Sequence, residues 1–143
     1  MTIPIWMLLG FAAWTVLLLC ATIGVYRWVR ILSGRASISS FPADPVEGAG
    51  WYLRSIRAHA NCIENLPVFG AIVLAITVAG LQGPLINVLS ILVLLSRVLQ
   101  SLVHVCHVQT DAFVAVRFSM LSVQLVSFVV LITIVIRHAI MPG

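Results

Sequence analysis

The sequence predicts an all-α integral membrane protein, a four-helix transmembrane bundle, on three observations. Its 143 residues are 62% hydrophobic, with a mean hydropathy of +1.15, more apolar surface than a soluble core of this size needs. The apolar residues gather into four runs, each long enough for the roughly 20 residues that cross a hydrocarbon core. Only 8% of residues are charged, and most arginines flank those runs instead of forming a tail.

The first span, about 5–32, starts after Pro4, whose fixed φ and missing N–H suit the first turn of a helix. Arg27, Arg30 and Arg35 follow its apolar run. A cleaved signal peptide carries positive charge ahead of the apolar stretch and a small-residue cleavage site behind it, so this reads as a retained helix with its N-terminus outside. The segment 33–50 places Gly34, Pro42, Pro45, Gly48 and Gly50 among serines and is the one stretch that reads as a true loop. The second span follows at about 51–80, the third at about 85–107 and the fourth at about 112–138, each able to cross with some tilt. Trp6, Trp28, Trp51 and Tyr52 fall near span ends, where amphipathic rings settle at headgroup level. Pro67 removes the bond to the Ile63 carbonyl and is expected to kink the second span. The whole chain, 1–143, reads as a single membrane domain without internal repeats.

Charge sets the topology. Arg27, Arg30, Arg35, Arg54 and Arg57 lie in or beside the first loop, whereas the 80–84 connection has no charge. The positive-inside rule therefore puts the loop in the cytoplasm, both termini outside and the turn near 107–111 on the cytoplasmic side. The formal charge of +4 comes from arginine alone, since the chain has no lysine. Spread along span ends, it gives no footprint for nucleic acid. Cys20, Cys62 and Cys106 follow no paired spacing, so no disulfide framework is expected. His104, Cys106 and His107 do not share one helical face and lack a fourth ligand, so no metal site is expected.

Ionisable groups inside membrane spans are costly and point to function. On the second span, Arg57, Asn61 and Glu64 stand at i, i+4 and i+7, a cation, an amide and a carboxylate on one face. On the third, Arg97, Gln100, Ser101 and His104 form a second polar stripe. Glu64 is the only acid at a depth comparable to Arg97, so the two are expected to pair. The fourth span adds Arg117 near its cytoplasmic end, with Gln124 deeper on the same face. Arg117, Arg57 and Arg35 would then surround a pocket suited to a small anion bearing carboxylates.

The run from Arg57 through Asn61 and Glu64 to Pro67 resembles the second-helix signature of the membrane-associated proteins in eicosanoid and glutathione metabolism, the MAPEG family. Arg97 in the third span and Arg117 at the start of the fourth extend the resemblance over essentially the whole chain, and a bacterial-type member is the nearest kind. The resemblance implies a homotrimer with glutathione held between subunits near the cytoplasmic side of a bacterial inner membrane. It implies glutathione contacts for Arg57, Asn61, Glu64 and Arg97, the last a buried arginine, and a thiolate-stabilising role for Arg117. Gln100 and His104 stand where family members carry aromatic or histidine side chains that touch glutathione. The implied activity is a microsomal-type glutathione transferase, with peroxidase activity as a companion, acting on small hydrophobic electrophiles that enter from the lipid bilayer.

Ala60, Gln100, His104 and Leu121 depart from the pattern of the eicosanoid enzymes, and the spacing from Arg97 to Arg117 is a few residues longer. These departures speak against prostaglandin or leukotriene synthesis. They leave two alternatives, a catalytically silent scaffold of the same family and a small proton-coupled multidrug-type transporter, the second weakened because Glu64 lies in the second span with an arginine at similar depth.

Overall fold

The computed structural model describes residues 1–42, 48–108 and 110–141. It is built from four long helices, Ile3–Leu32, Gly50–Val78, Pro84–Cys106 and Asp111–Ile140, each long and apolar enough to cross a bilayer. The all-α, multi-pass membrane architecture expected from the sequence is the one observed. Asp44, Pro45 and Glu47, which the sequence assigns to the first loop, lie outside the described residues.

Local chemistry sets the helix ends. Pro4 and Pro84 sit in the first turns of the first and third helices, where a missing N–H leaves no bond unmade. The Thr110 hydroxyl accepts from the Phe113 N–H and caps the fourth helix. The first and second helices close with the same device. Gly34 at φ 69° and Gly80 at φ 66° take the left-handed conformation that a side chain resists. The Arg35 N–H then reaches the Arg30 carbonyl, and the Leu81 N–H reaches the Ile76 carbonyl.

The helices run up and down in sequence order. At one end Arg27 Nε donates to Tyr52 Oη at 2.9 Å, tying the end of the first helix to the start of the second. At the same end Arg54 donates through Nε and Nη2 to the Val105 carbonyl, both at 3.2 Å, and so satisfies an orphan acceptor at the end of the third helix. At the other end the N-terminal residues adjoin the turn that holds Leu81, Gln82 and Gly83.

The first helix contains a π-helical turn at Leu19–Gly24, which sequence periodicity did not foretell. Before it, Phe11, Thr15 and Leu18 form the buried face. After it, Ile23 is the buried residue where an unbroken α-helix would have turned Thr22 inward. The wide turn therefore absorbs one residue and re-aims Tyr26 and Arg27 toward Tyr52. The Tyr26 and Tyr52 rings stack at 4.0 Å between centroids.

The third helix packs against all three others, most extensively against the fourth. Around it the core is aromatic: Phe69 of the second helix lies 6.1 Å from Phe11 of the first and 6.0 Å from Phe128 of the fourth, centroid to centroid. Buried hydroxyls are satisfied within their own helices, Ser90 to the Ile86 carbonyl and Ser101 to the Arg97 carbonyl at 2.8 Å each. The second helix continues through Pro67 as one element.

Because lipid tails are as apolar as the core, such a bundle is held by close packing more than by hydrophobic transfer. Phe69→Ala opens a cavity where three helices meet and is expected to cost about 3 kcal/mol, the lower end for losing a buried phenylalanine. A melting curve in detergent no lower than wild type would show that the aromatic cluster does not hold the helices together.

Candidate functional site

Two adjacent stripes divide the second helix. Ser55, Ala58, Cys62, Phe69, Ile72 and Ile76 are buried against the other helices. Arg57 and Glu64 are exposed and Asn61 is half-buried, so the polar stripe lies beside the buried one and faces outward. The contact that locks the inner stripe to the third helix is small, Cys62 Sγ to Ser101 Oγ at 3.5 Å.

This arrangement overturns the expected pairing of Arg97 with Glu64. Arg97 is 1% exposed and turns toward the fourth helix, where its Nη2 donates to Gln124 Oε1 at 2.6 Å. Its Cζ lies 5.8 Å from the centre of the Phe11 ring, a cation–π contact with the first helix. Glu64 belongs to the outward stripe and the guanidinium to the inner seam, so the carboxylate acts on Arg97 only as a nearby charge and not as its hydrogen-bond partner. Arg97 Nε and Gln124 Nε2 are buried without partners.

Above this seam, toward the end that holds the first loop, a groove of about 230 Å³ opens between the second, third and fourth helices. Asn61, Gln100, His104 and Arg117 line its polar side, and Val114, Phe118 and Leu121 its apolar side. Gln100 Nε2 donates to the Arg117 backbone carbonyl at 3.2 Å, which fixes the third helix against the turn that carries Arg117. The other amide atom, Gln100 Oε1, is buried with no partner. Arg54, by holding the Val105 carbonyl, anchors the residue next to His104.

The structure thus brings four of the sequence-derived candidates together, Asn61, Gln100, His104 and Arg117, around one groove. Arg57 and Glu64 do not line it, and Arg97 lies in the buried seam. Gln124 as the partner of Arg97, Phe11 as its aromatic neighbour and Phe118 on the groove wall escaped sequence reasoning. The spacing of Val114, Phe118 and Leu121 at i, i+4 and i+7, straddling Arg117, was the available signal for the last of these. Among the described residues no group of three or more His, Cys, Asp or Glu side chains is close enough to hold a metal ion.

What the arrangement can do chemically is bind an anionic, hydrogen-bonding ligand at its polar wall while keeping an apolar surface within reach. A family model described as the MAPEG family matches residues 11–137. No curated protein and no solved structure matches the chain.

The neutral partner of Arg97 changes what its replacement should do. Gln124→Leu leaves a buried charged donor without its acceptor, which costs more than the ~1 to 3 kcal/mol of a neutral unsatisfied group. Arg97→Leu leaves only an unpaired amide, about 1 to 3 kcal/mol. Thermal denaturation in detergent should rank Gln124→Leu below Arg97→Leu, with the double Leu variant recovering most of the difference. The reverse order would mean that Arg97 is held by something other than Gln124.

Proposed function

Because this chain belongs to the MAPEG family, whose members are glutathione-related membrane enzymes, we propose that it binds glutathione and transfers its sulfur to apolar electrophiles drawn from the bilayer. The observation that carries this reading is the convergence of Arg117, His104, Gln100 and Asn61 from three helices on one groove, with apolar side chains of the fourth helix beside Arg117. A thiol attacks as the thiolate, and a nearby guanidinium stabilises that charge and lowers the thiol's pKa. Arg117 takes this role. The thiol proton passes to water at the polar end of the groove. The sulfur lone pair forms the C–S bond, and the leaving group departs with the electrons of the bond it held. Asn61, Gln100 and His104 meet the amide and ammonium groups of the tripeptide, and arginines meet its carboxylates.

The outward stripe of the second helix supports assembly of several copies. Arg57, Asn61, Glu64, Val68, Ala71 and Ala75 repeat at intervals of four and three, and none is buried in the single chain. A stripe that begins with charges and ends in alanines cannot rest in hydrocarbon at its polar end, and its small residues allow close helix approach at the other. Beside the alanines an apolar groove of about 430 Å³ separates the second and fourth helices. The polar groove, at about 230 Å³, falls below the ~300–1,000 Å³ common for small-molecule sites. A homotrimer packed along the second helices answers both needs. Arg57 and Glu64 then complete the groove of a neighbouring copy. The five arginines at the first-loop end give that end the cytoplasmic orientation, in a bacterial inner membrane. Placing Glu64 at a subunit boundary also favours ligand binding over proton-coupled export.

Calorimetry on the purified protein should detect glutathione, and Asn61→Ala or Arg57→Ala should weaken it by ~1.5 to 3 kcal/mol, roughly tenfold or more. Wild type with no measurable heat of binding would end the reading. For Arg117→Ala the expected result is a lower turnover of conjugation and a higher apparent pKa of bound glutathione, with little change in melting temperature. An unchanged pH profile of conjugation would remove Arg117 from the thiolate role.

A further inference from the structure

Glutathione binding accounts for the polar wall of the groove and leaves the other wall without a task. Val114, Phe118 and Leu121 form one apolar stripe on the fourth helix, about 10 Å long at a rise of ~1.5 Å per residue. The chain has six phenylalanines, and Phe118 stands apart from the rest. Phe69 pairs with both Phe11 and Phe128, Phe41 meets Tyr26, and Phe113 meets His107. Among the described residues Phe118 alone pairs with no other ring, and it is 69% exposed while lining the groove directly after Arg117.

The base of that ring is fixed. Gln100 holds the Arg117 carbonyl at 3.2 Å, so the turn bearing Phe118 is clamped to the third helix. The free ring face and the Arg117 side chain border the same space, with Val114 one turn before Phe118 and Leu121 almost one turn after it. An aromatic face favours offset stacking with another planar π-system, and a saturated chain gains nothing comparable from it. Aliphatic residues alone would give apolar electrophiles a slot without preference for shape.

We infer that Phe118 is the specificity-determining platform of the groove, on which a planar, aromatic or conjugated electrophile lies with its reacting carbon turned toward the sulfur held at Arg117. This rests on the glutathione reading above. The reaction consumes one thiolate and one electrophile. With an aryl halide the C–S bond forms, the carbon–halogen bond breaks, and halide leaves with the bonding pair.

The test compares two electrophiles on the purified full chain, 1-chloro-2,4-dinitrobenzene as the planar probe and 1-iodohexane as the saturated one. Phe118→Leu keeps the apolar bulk and loses the ring, so the aryl-to-alkyl ratio of kcat/KM should fall roughly threefold to tenfold, the size of an aromatic pair contact. Phe118→Trp should restore the ratio. Glutathione affinity, measured by calorimetry, should stay at the wild-type value in both variants, and a merely structural role would move it. An aryl-to-alkyl ratio unmoved in Phe118→Leu overturns the platform while leaving glutathione binding intact. A subunit count altered in native mass spectrometry with the ratio unmoved would instead assign the ring to a contact between copies, and also overturns it. Wild type that binds no glutathione defeats the underlying reading, an outcome distinct from either.

Discussion

A guanidinium buried among helices in a membrane must be held by other protein groups, and the position of Arg97 governs much else in this bundle. At 1% exposure it has no access to water. Its hold comes from a neutral amide, Gln124, and from the face of Phe11. Those two contacts draw the fourth and first helices onto the third. The third helix accordingly touches every other helix, and its buried face carries Ser90, Ser96, Arg97, Gln100 and Ser101 in place of a leucine seam. In hydrocarbon, where apolar association offers little, such a polar seam supplies direction that packing alone does not.

The same seam orders the groove. Arg97 and Gln100 are one turn apart on the third helix, and their partners, Gln124 and the Arg117 carbonyl, are two turns apart on the fourth. Two side-chain bonds therefore set the register of the third helix against the fourth. That register brings Gln100 onto the Arg117 carbonyl and places His104 in the same groove as Arg117. The small contact between Cys62 and Ser101 does the equivalent for the second helix and brings Asn61 to the rim. The groove is a consequence of how these helices are indexed, more than of any one residue that lines it.

At the loop end the bundle is closed by rings and arginines. Tyr26 stacks on Tyr52, and Arg27 binds the Tyr52 hydroxyl while its guanidinium lies 5.5 Å from the centre of Phe41. Arg30 reaches the Tyr26 hydroxyl at 2.9 Å. Several arginines that read from the sequence as topology signals thus also carry packing. Their placement depends on the extra residue taken up at Leu19–Gly24. Without that wide turn Tyr26 and Arg27 would be rotated away from the second helix.

Four apolar runs, a proline at the start of the first and a Gly- and Pro-rich first loop were enough to draw the spans, because hydrocarbon thickness and backbone satisfaction leave little choice of structure. The polar residues of interest were equally plain, since Arg57, Asn61, Glu64, Arg97, Gln100, His104 and Arg117 stand out against an apolar chain. Spacing on one helix gives the stripe on which a residue lies, but the rotation of that helix about its axis is set by neighbours distant in sequence. Arg97 and Glu64 show the limit: charge and depth suggested a pair, whereas the packing of Cys62 and Phe69 turned Glu64 outward and Gln124 took the guanidinium. The π-helical turn was likewise illegible, because a one-residue shift in a nearly uniform apolar run leaves no mark on periodicity. The sequence by itself determined the helices and the chemical groups available to them. The tertiary structure decided which of those groups meet, because helix rotation and register depend on contacts between spans that no single span encodes.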